Sequence, residues 1–357
     1  MSIARRVWGA AAGAAGLAAA GAVVRVAQRH RVIARRGAGD ETPFGSLRSP
    51  ELTVVADDGL RLHAEVDPVD GAADTDLTIV FAHGYSLNLD CWHFQRAGYR
   101  GQVRTVFYDQ RSHGRSERSA EERCTVDQLG QDLLRVIEDT APGPCVVVGH
   151  SMGGMSLVSL AEQRPDLFGD KIVGAALIST TAGGLDPGRI LLPMVPLGLG
   201  GKLVGRVVRT LDRGHQAVDL ARKWGHVIAD VVTDSYAFGD DVPAHYVDFL
   251  FDMLDATPFS VIADFYPAFA TLEKFDHVGI LGRVPTSVIC GTDDKITGIG
   301  HSRKLHARIP GSSLLECEGA GHMVILERHE AVNSEIDDLV SRALAALETR
   351  PLTTEAQ

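Results

Sequence analysis

The sequence has too few cysteines for a disulfide framework. It has five cysteines among 357 residues, an odd number, and no two of them form a Cys-x-x-Cys pair. Because several lie in or beside apolar runs, we expect buried free thiols, which favours a reducing compartment. The histidines show no metal-ligand spacing. We therefore expect neither a metal nor another cofactor. The cysteines are Cys91, Cys124, Cys145, Cys290 and Cys317.

Basic residues are also scarce outside the N-terminal end. The formal net charge is −11, yet residues 1–40 contain seven arginines and a single acid. The rest of the chain holds 28 basic and 45 acidic residues. Such an acidic body repels nucleic acid, so nucleic acid is not an expected partner.

The N-terminal segment 1–40 is rich in Ala and Gly, and its residues 7–24 carry no charge. As a helix this run would cover about 27 Å, the lower limit for a bilayer span. Three interpretations remain open: a membrane anchor, an export signal that begins at Arg5-Arg6, and a soluble Ala-rich helix. The arginines that follow the run favour an anchor with the rest of the chain in the cytoplasm, and they could bind a membrane surface. A cytoplasmic or an exported protein is the alternative.

From residue 51 onward the pattern is that of an α/β protein. Runs 52–56 and 60–66 flank Asp57-Asp58-Gly59, a hairpin turn signal. The runs that follow are continuously apolar, as in parallel strands buried on both faces. Helical periodicity lies between them. We expect a doubly wound, mostly parallel β-sheet. The further strand runs are 77–82, 103–108, 145–148, 173–178, 286–290 and 313–316, and the clearest helices are 125–139, 152–163 and 329–347.

The alternation of strands and helices breaks between residues 182 and 283. This stretch has helix-like segments, many large apolar residues and no clear strand run. We expect it to be a helical cap (lid) inserted into a core that comprises 41–181 and 284–349, followed by a tail, 350–357.

The clearest chemical motif is Gly149-His150-Ser151-Met152-Gly153, which lies between a predicted strand and a predicted helix. A sharp strand-to-helix turn exposes a serine nucleophile, and the helix N-terminus can stabilise an oxyanion. Such a serine needs a base and an orienting acid. His322 follows the last predicted strand, and Asp293 and Asp294 both follow the strand before it. All of them would lie at the carboxyl edge of the sheet.

These motifs together resemble the α/β-hydrolase superfamily over residues 51–347, in particular serine esterase- and lipase-like members with a helical cap. His83-Gly84 resembles its oxyanion loop. The turn 109–116 resembles its Asp-x-Arg-Gly-x-Gly-x-Ser motif, with Ser112 where glycine is usual. Gly291-x-x-Asp294 and Gly321-His322 resemble its acid and histidine motifs. The resemblance implies a triad of Ser151, Asp294 and His322.

The same resemblance implies oxyanion donors at the backbone N–H groups of Tyr85 and Met152. It also suggests pocket positions at His83 and Trp92. Each residue has a structural alternative to a pocket role, since His83 could hold a loop and Trp92 could be a core aromatic. We expect His150 to be structural too, and His113 to be solvated in a surface turn.

A serine nucleophile argues against the family members that use an aspartate. Among the serine members, the apolar cap and the possible membrane anchor favour hydrolysis of a small-molecule or lipid-like ester with an apolar acyl group. An acyltransferase, a C–C hydrolase and a cofactor-free haloperoxidase remain open alternatives on the same fold. A non-catalytic ligand-binding protein is the alternative of a different class.

Overall fold

The computed structural model describes residues 42–71, 76–185 and 234–349. Its strands form one sheet of eight, in the order β1-β2-β4-β3-β5-β6-β7-β8. The first two strands form an antiparallel hairpin, β2 pairs antiparallel with β4, and the remaining pairs are parallel. The strands are β1 Glu51–Val55, β2 Arg61–Asp67, β3 Thr78–Ala82, β4 Arg104–Tyr108, β5 Cys145–His150, β6 Ile172–Ile178, β7 Thr286–Gly291 and β8 Ser313–Cys317.

Helices follow the strands and cover both faces of the sheet, which confirms the predicted α/β-hydrolase fold. The α-helices are α1 His93–Tyr99, α2 Val126–Thr140, α3 Met152–Gln163, α4 Ala244–Ala256, α5 Phe259–Ala270, α6 Gly298–Arg308, α7 Val324–Glu327 and α8 His329–Glu348.

Burial on both faces explains why the strand runs are continuously apolar. In β3, Ile79 and Phe81 belong to the core beneath α1 and α8, whereas Val80 and Ala82 belong to the core beneath α2, α3 and α6. Alternate side chains therefore enter two different cores, so neither face tolerates a polar stripe. All five cysteines are buried and free, as the sequence predicts.

Helix α2 illustrates how local sequence sets an element. Thr125 precedes it and its hydroxyl accepts a hydrogen bond from the Gln128 N–H at 3.1 Å, which satisfies one of the unpaired donors of the first turn. Leu129, Leu133 and Val136 are spaced by four and three residues, and all are fully buried against the sheet and α3. This helix therefore matches its prediction to within one residue at each end.

The stretch predicted as a cap is described only at its two ends. Helices α4 and α5 lie in it, followed by a 3₁₀ helix, Val278–Arg283, and an isolated bridge joins Gly183 to Glu273. The middle of the stretch, residues 186–233, lies outside the described residues. So do residues 1–41 and the tail from residue 350, so the domain boundaries remain predictions.

Within the described ranges, no helix is long and apolar enough to cross a bilayer. The uncharged run 7–24, on which the predicted membrane anchor depends, lies outside those ranges.

Candidate active site

Ser151 occupies the sharp turn between β5 and α3. Its backbone has φ 52° and ψ −115°, a left-handed conformation that is strained for a residue with a side chain. Two hydrogen bonds hold the turn in place: the Ser151 N–H donates to the Ile178 carbonyl at 2.9 Å, and the Thr180 hydroxyl donates to the Ser151 carbonyl at 2.6 Å. These bonds with the end of β6 and the residues after it hold Ser151 in a conformation that belongs to neither the strand nor the helix.

The turn is tight enough that its flanking glycines are sterically required. A Cβ on Gly153 would overlap the carbonyl oxygen of Ala82 at the end of β3. A Cβ on Gly149 would approach the Gly153 carbonyl oxygen to 2.5 Å. The two glycines of the motif therefore let α3 start directly against the central strands.

The predicted oxyanion loop lies against the serine. A Cβ on Gly84 would come within 3.2 Å of the Ser151 Cβ, so the residue after it, Tyr85, is adjacent to the turn. Met152 is the first residue of α3, and the first N–H groups of a helix have no partner within the helix. The structure therefore brings both predicted donor residues to the serine. Their role as oxyanion donors stays a prediction.

Asp294 and His322 meet at the carboxyl ends of β7 and β8. The His322 Nδ1 atom lies 2.9 Å from Asp294 Oδ2, and both residues are buried. It is the carboxylate of Asp294 that reaches the imidazole, whereas the neighbouring Asp293 side chain is exposed. Of the two aspartates, Asp294, the one that the resemblance implies, has the geometry of an orienting acid.

The Asp294 carboxylate is held by four donors. Its Oδ1 accepts the N–H groups of Ile296 at 2.8 Å and Thr297 at 3.0 Å. Its Oδ2 accepts the Thr297 hydroxyl at 2.6 Å, in addition to His322. Burial alone would raise the pKa of Asp294, but His322 and Thr297 outweigh burial and hold that pKa well below its ordinary value. The acid is therefore ionised at neutral pH.

The loop that carries His322 is bound to the serine turn and to Glu327 on α7. His150, which precedes Ser151, bonds through its Nε2 atom to the His322 carbonyl at 3.0 Å. The Gly321 N–H donates to the Glu327 carboxylate at 2.6 Å, and the same carboxylate accepts the Gly239 N–H at 3.0 Å. These contacts hold the backbone on both sides of the His322 side chain.

The side chains of His83 and Trp92 are buried. His83 Nε2 accepts the Gln110 N–H at 2.9 Å, so its Nδ1–H donates to the Gly84 carbonyl at 2.7 Å. Burial and the nearby His113 lower the pKa of His83 to about 3, so the ring is neutral and holds the oxyanion loop. Trp92 is fully buried, with its ring 5.0 Å from that of Phe81. Their pocket roles stay predictions.

The expectation that His113 is solvated is wrong. His113 is 1% exposed, its Nδ1 atom bonds to the Arg111 carbonyl at 2.9 Å, and burial lowers its pKa to about 4. Its ring lies 6.0 Å from that of Tyr85 and 5.4 Å from that of Phe265 on α5. The turn is covered by a helix distant in sequence, which local polarity could not indicate.

The same turn accommodates Ser112, which stands where the family motif usually has glycine. Ser112 takes φ 66°, where glycine would be unstrained, and its hydroxyl accepts the Ser119 N–H at 2.9 Å. Asp109 ties this turn to the loop after β3, because its carboxylate accepts the N–H groups of Arg115 at 2.8 Å and Leu89 at 2.7 Å. Burial raises the pKa of Asp109 to about 6.

Sequence reasoning missed Thr297 and Glu327. A threonine three residues after an aspartate is a signal for local side-chain-to-backbone bonding, so Thr297 could have been found. Glu327 had no such signal, since its partners Gly239 and Gly321 are separated by 82 positions along the chain.

Comparisons with known proteins agree with this architecture. The model of the alpha/beta hydrolase family matches residues 79–335. An uncharacterized protein of Mycobacterium tuberculosis is 25% identical over 262 residues, which cover 68% of this chain and 69% of that protein.

Two solved structures are also similar. The enol-lactonase from Burkholderia xenovorans LB400 superposes with a TM-score of 0.64 at 24% identity, covering 82% of this chain and 100% of that one. Esterase RhEst1 from Rhodococcus sp. ECU1013 gives a TM-score of 0.64 at 17% identity, covering 82% and 98%. At these identities the likeness concerns the fold. Because the family model matches well over half of its length, this chain belongs to the alpha/beta hydrolase family.

Proposed function

We propose that the protein is a serine hydrolase that cleaves carboxylic esters with an apolar acyl group through an acyl-enzyme. The observation that carries the proposal is the buried Asp294–His322 pair at the same sheet edge as a strained Ser151. A buried, ionised acid bonded to Nδ1 of a histidine is what a serine nucleophile requires for its activation.

The reaction would run in four steps. Ser151 Oγ attacks the acyl carbonyl carbon while His322 Nε2 takes the hydroxyl proton. The resulting oxyanion accepts hydrogen bonds from the Tyr85 and Met152 N–H groups. His322 gives its proton to the leaving alcohol, and the acyl-enzyme remains. Water, deprotonated by the same histidine, then releases the acid and restores Ser151.

Electrostatics supplies much of the rate acceleration in such a site. Asp294 keeps the Nδ1–H tautomer of His322 and stabilises the imidazolium that forms in each proton transfer. Each oxyanion donor contributes ~2.7–4 kcal/mol to the stabilisation of the transition state. The low pKa of Asp294 supports this role, because a protonated acid could not stabilise a positive ring.

The preference for an apolar acyl group rests on the surroundings of the serine turn. Met152 and Met155 on α3 belong to an apolar cluster with Phe265 and Phe269 on α5, and Tyr85 packs against it. An acyl chain that leaves Ser151 towards α5 would meet side chains of this kind. The names of the enol-lactonase and the esterase, both fold neighbours, agree with an ester substrate.

A fluorophosphonate probe tests the nucleophile. We expect wild-type protein to be labelled, Ser151→Ala to be unlabelled, and Ser341→Ala, an exposed serine on α8, to be labelled like wild type. Folded wild-type protein that resists labelling would indicate the non-catalytic alternative.

A panel of p-nitrophenyl esters from acetyl to dodecanoyl tests the substrate class. We expect kcat/KM to rise from the acetyl ester to a longer chain. A strict preference for acetyl esters would contradict the apolar acyl group. Normal labelling without hydrolysis of any ester would indicate another reaction of this fold.

A further inference from the structure

The loop that follows β3 is bound to the turn after β4 through His83, whose Nε2 accepts the Gln110 N–H at 2.9 Å. His83 donates its Nδ1–H to the Gly84 carbonyl at 2.7 Å, and the Leu87 N–H donates to the same oxygen at 3.3 Å. In a trans peptide the C=O and the following N–H point in opposite directions. These bonds to the Gly84 oxygen therefore aim the Tyr85 N–H away from the buried His83 ring.

The same loop is also bound to α4 and α5. The Tyr85 hydroxyl donates to the Ile262 carbonyl on α5 at 2.5 Å, and its ring meets Phe269 edge-on at 4.9 Å. Thr257, at the corner where α4 ends, donates its hydroxyl to the Ser86 carbonyl at 3.1 Å. Two consecutive residues of the loop are thus held by elements about 170 positions further along the chain.

Ser86 is the residue that most needs such support. It is buried and adopts φ 58°, a left-handed conformation that costs energy for any residue with a Cβ. Without the bond from Thr257 to the Ser86 carbonyl, this strain favours rotation of the following peptide, which carries the Leu87 N–H that donates to the Gly84 carbonyl at 3.3 Å. The Tyr85 N–H lies one residue away and would move with it.

We propose that the hydroxyls of Tyr85 and Thr257 are positioning groups that align the Tyr85 N–H with the developing oxyanion. This inference rests on the proposed function, since it assigns a role to side chains around the same site. Through these two hydroxyl bonds, the positions of α4 and α5 would set the geometry of the oxyanion hole. The two hydroxyls stabilise the transition state through the loop and contribute little to ground-state binding.

The test uses Tyr85→Phe, which keeps the ring, and Thr257→Val, which keeps the shape. With p-nitrophenyl butyrate we expect each to lower kcat by about 3- to 10-fold with an unchanged KM, the effect of one neutral hydrogen bond felt only in the transition state. The inhibition constant of an alkyl trifluoromethyl ketone, whose adduct carries the oxyanion, should rise by the same factor. Thr257→Ser, which restores the hydroxyl, should recover kcat.

Matched controls exist elsewhere in the chain. The Tyr99 hydroxyl donates to the Asn333 carbonyl at 3.0 Å, and the buried Thr140 hydroxyl donates to the Val136 carbonyl at 2.5 Å. Tyr99→Phe and Thr140→Val therefore remove the same kinds of bond far from the loop. We expect them to shift the thermal midpoint at most and to leave kcat and the ketone inhibition constant at wild-type values.

The outcomes separate this inference from the proposed function. If Ser151→Ala is inactive while Tyr85→Phe and Thr257→Val match their controls in kcat and in ketone inhibition, the positioning role is wrong and the hydrolase stands. A rise in KM with unchanged kcat would also refute it. If Ser151→Ala retains wild-type hydrolysis, or folded wild-type protein hydrolyses no ester, the proposed function fails and this inference fails with it.

Discussion

The substitution Asp294→Asn would remove the charge of the buried acid while keeping its shape. The carboxylate accepts two backbone N–H groups at Oδ1, and a hydroxyl and an imidazole at Oδ2. An asparagine can keep only one of these two sets, because its second polar atom is a donor. If the amide oxygen keeps the bonds from Ile296 and Thr297, the NH₂ group faces His322 Nδ1.

That orientation forces the wrong tautomer on the histidine. Facing a donor, Nδ1 must accept, so the proton moves to Nε2, the atom that should take the proton of Ser151. The flipped amide would instead set its NH₂ group against two backbone N–H groups that now lie 2.8 and 3.0 Å from Oδ1, which is less favourable. We therefore expect kcat to fall about 10⁴-fold, the value for the same change in a serine protease. This corresponds to about 5.4 kcal/mol in the barrier.

The assay is steady-state hydrolysis of p-nitrophenyl butyrate, with thermal unfolding measured in parallel. Asp293→Asn is the matched control, since Asp293 is the adjacent, exposed acid, and it should keep wild-type kcat. A folded Asp294→Asn protein within tenfold of wild type would refute the assignment of Asp294 as the orienting acid.

Three further predictions concern packing, acid stability and the N-terminal segment. Gly153→Ala should destabilise the fold by more than ~2 kcal/mol in urea unfolding, because its Cβ would overlap the Ala82 carbonyl. The control Gly300→Ala should leave the unfolding free energy unchanged, since its Cβ would have no neighbour within 4 Å, and equal effects of the two substitutions would contradict the steric argument. Because folding lowers the pKa of Asp294, the ionised carboxylate stabilises the fold fully above about pH 4, and this stabilisation is lost as the pH falls further. From pH 5 to pH 2 the unfolding free energy should therefore fall more in wild type than in Asp294→Asn, and parallel pH curves for the two proteins would contradict this role of the charge. Removing residues 1–38 should move the protein from the membrane fraction to the soluble fraction of cells with ester hydrolysis retained, whereas the same distribution for both chains would exclude the anchor.

Much of the fold follows from patterns that are local in sequence. The run 145–148 is apolar at every position because both faces of β5 are buried, and that pattern alone predicts a central strand. Helix α6 had no such signal. It begins Gly-Ile-Gly, is otherwise largely polar, and buries only Ser302 and Leu305 fully, so neither propensity nor periodicity marks it.

The order of the motifs along the chain predicted which residues meet at the centre of the site. An aspartate, a histidine and Ser151 each follow the end of a strand. Parallel strands bring their carboxyl ends to one edge of the sheet, so motif and topology suffice to predict that these side chains lie together. The packing of the elements was needed to show that Asp294 contacts His322, that His113 is buried, and that Thr257 and Glu327 bond to the loops that carry Ser86 and Gly321. Each of these is a contact between segments far apart in the chain, and its partner depends on how helices pack over the sheet, which no local pattern records.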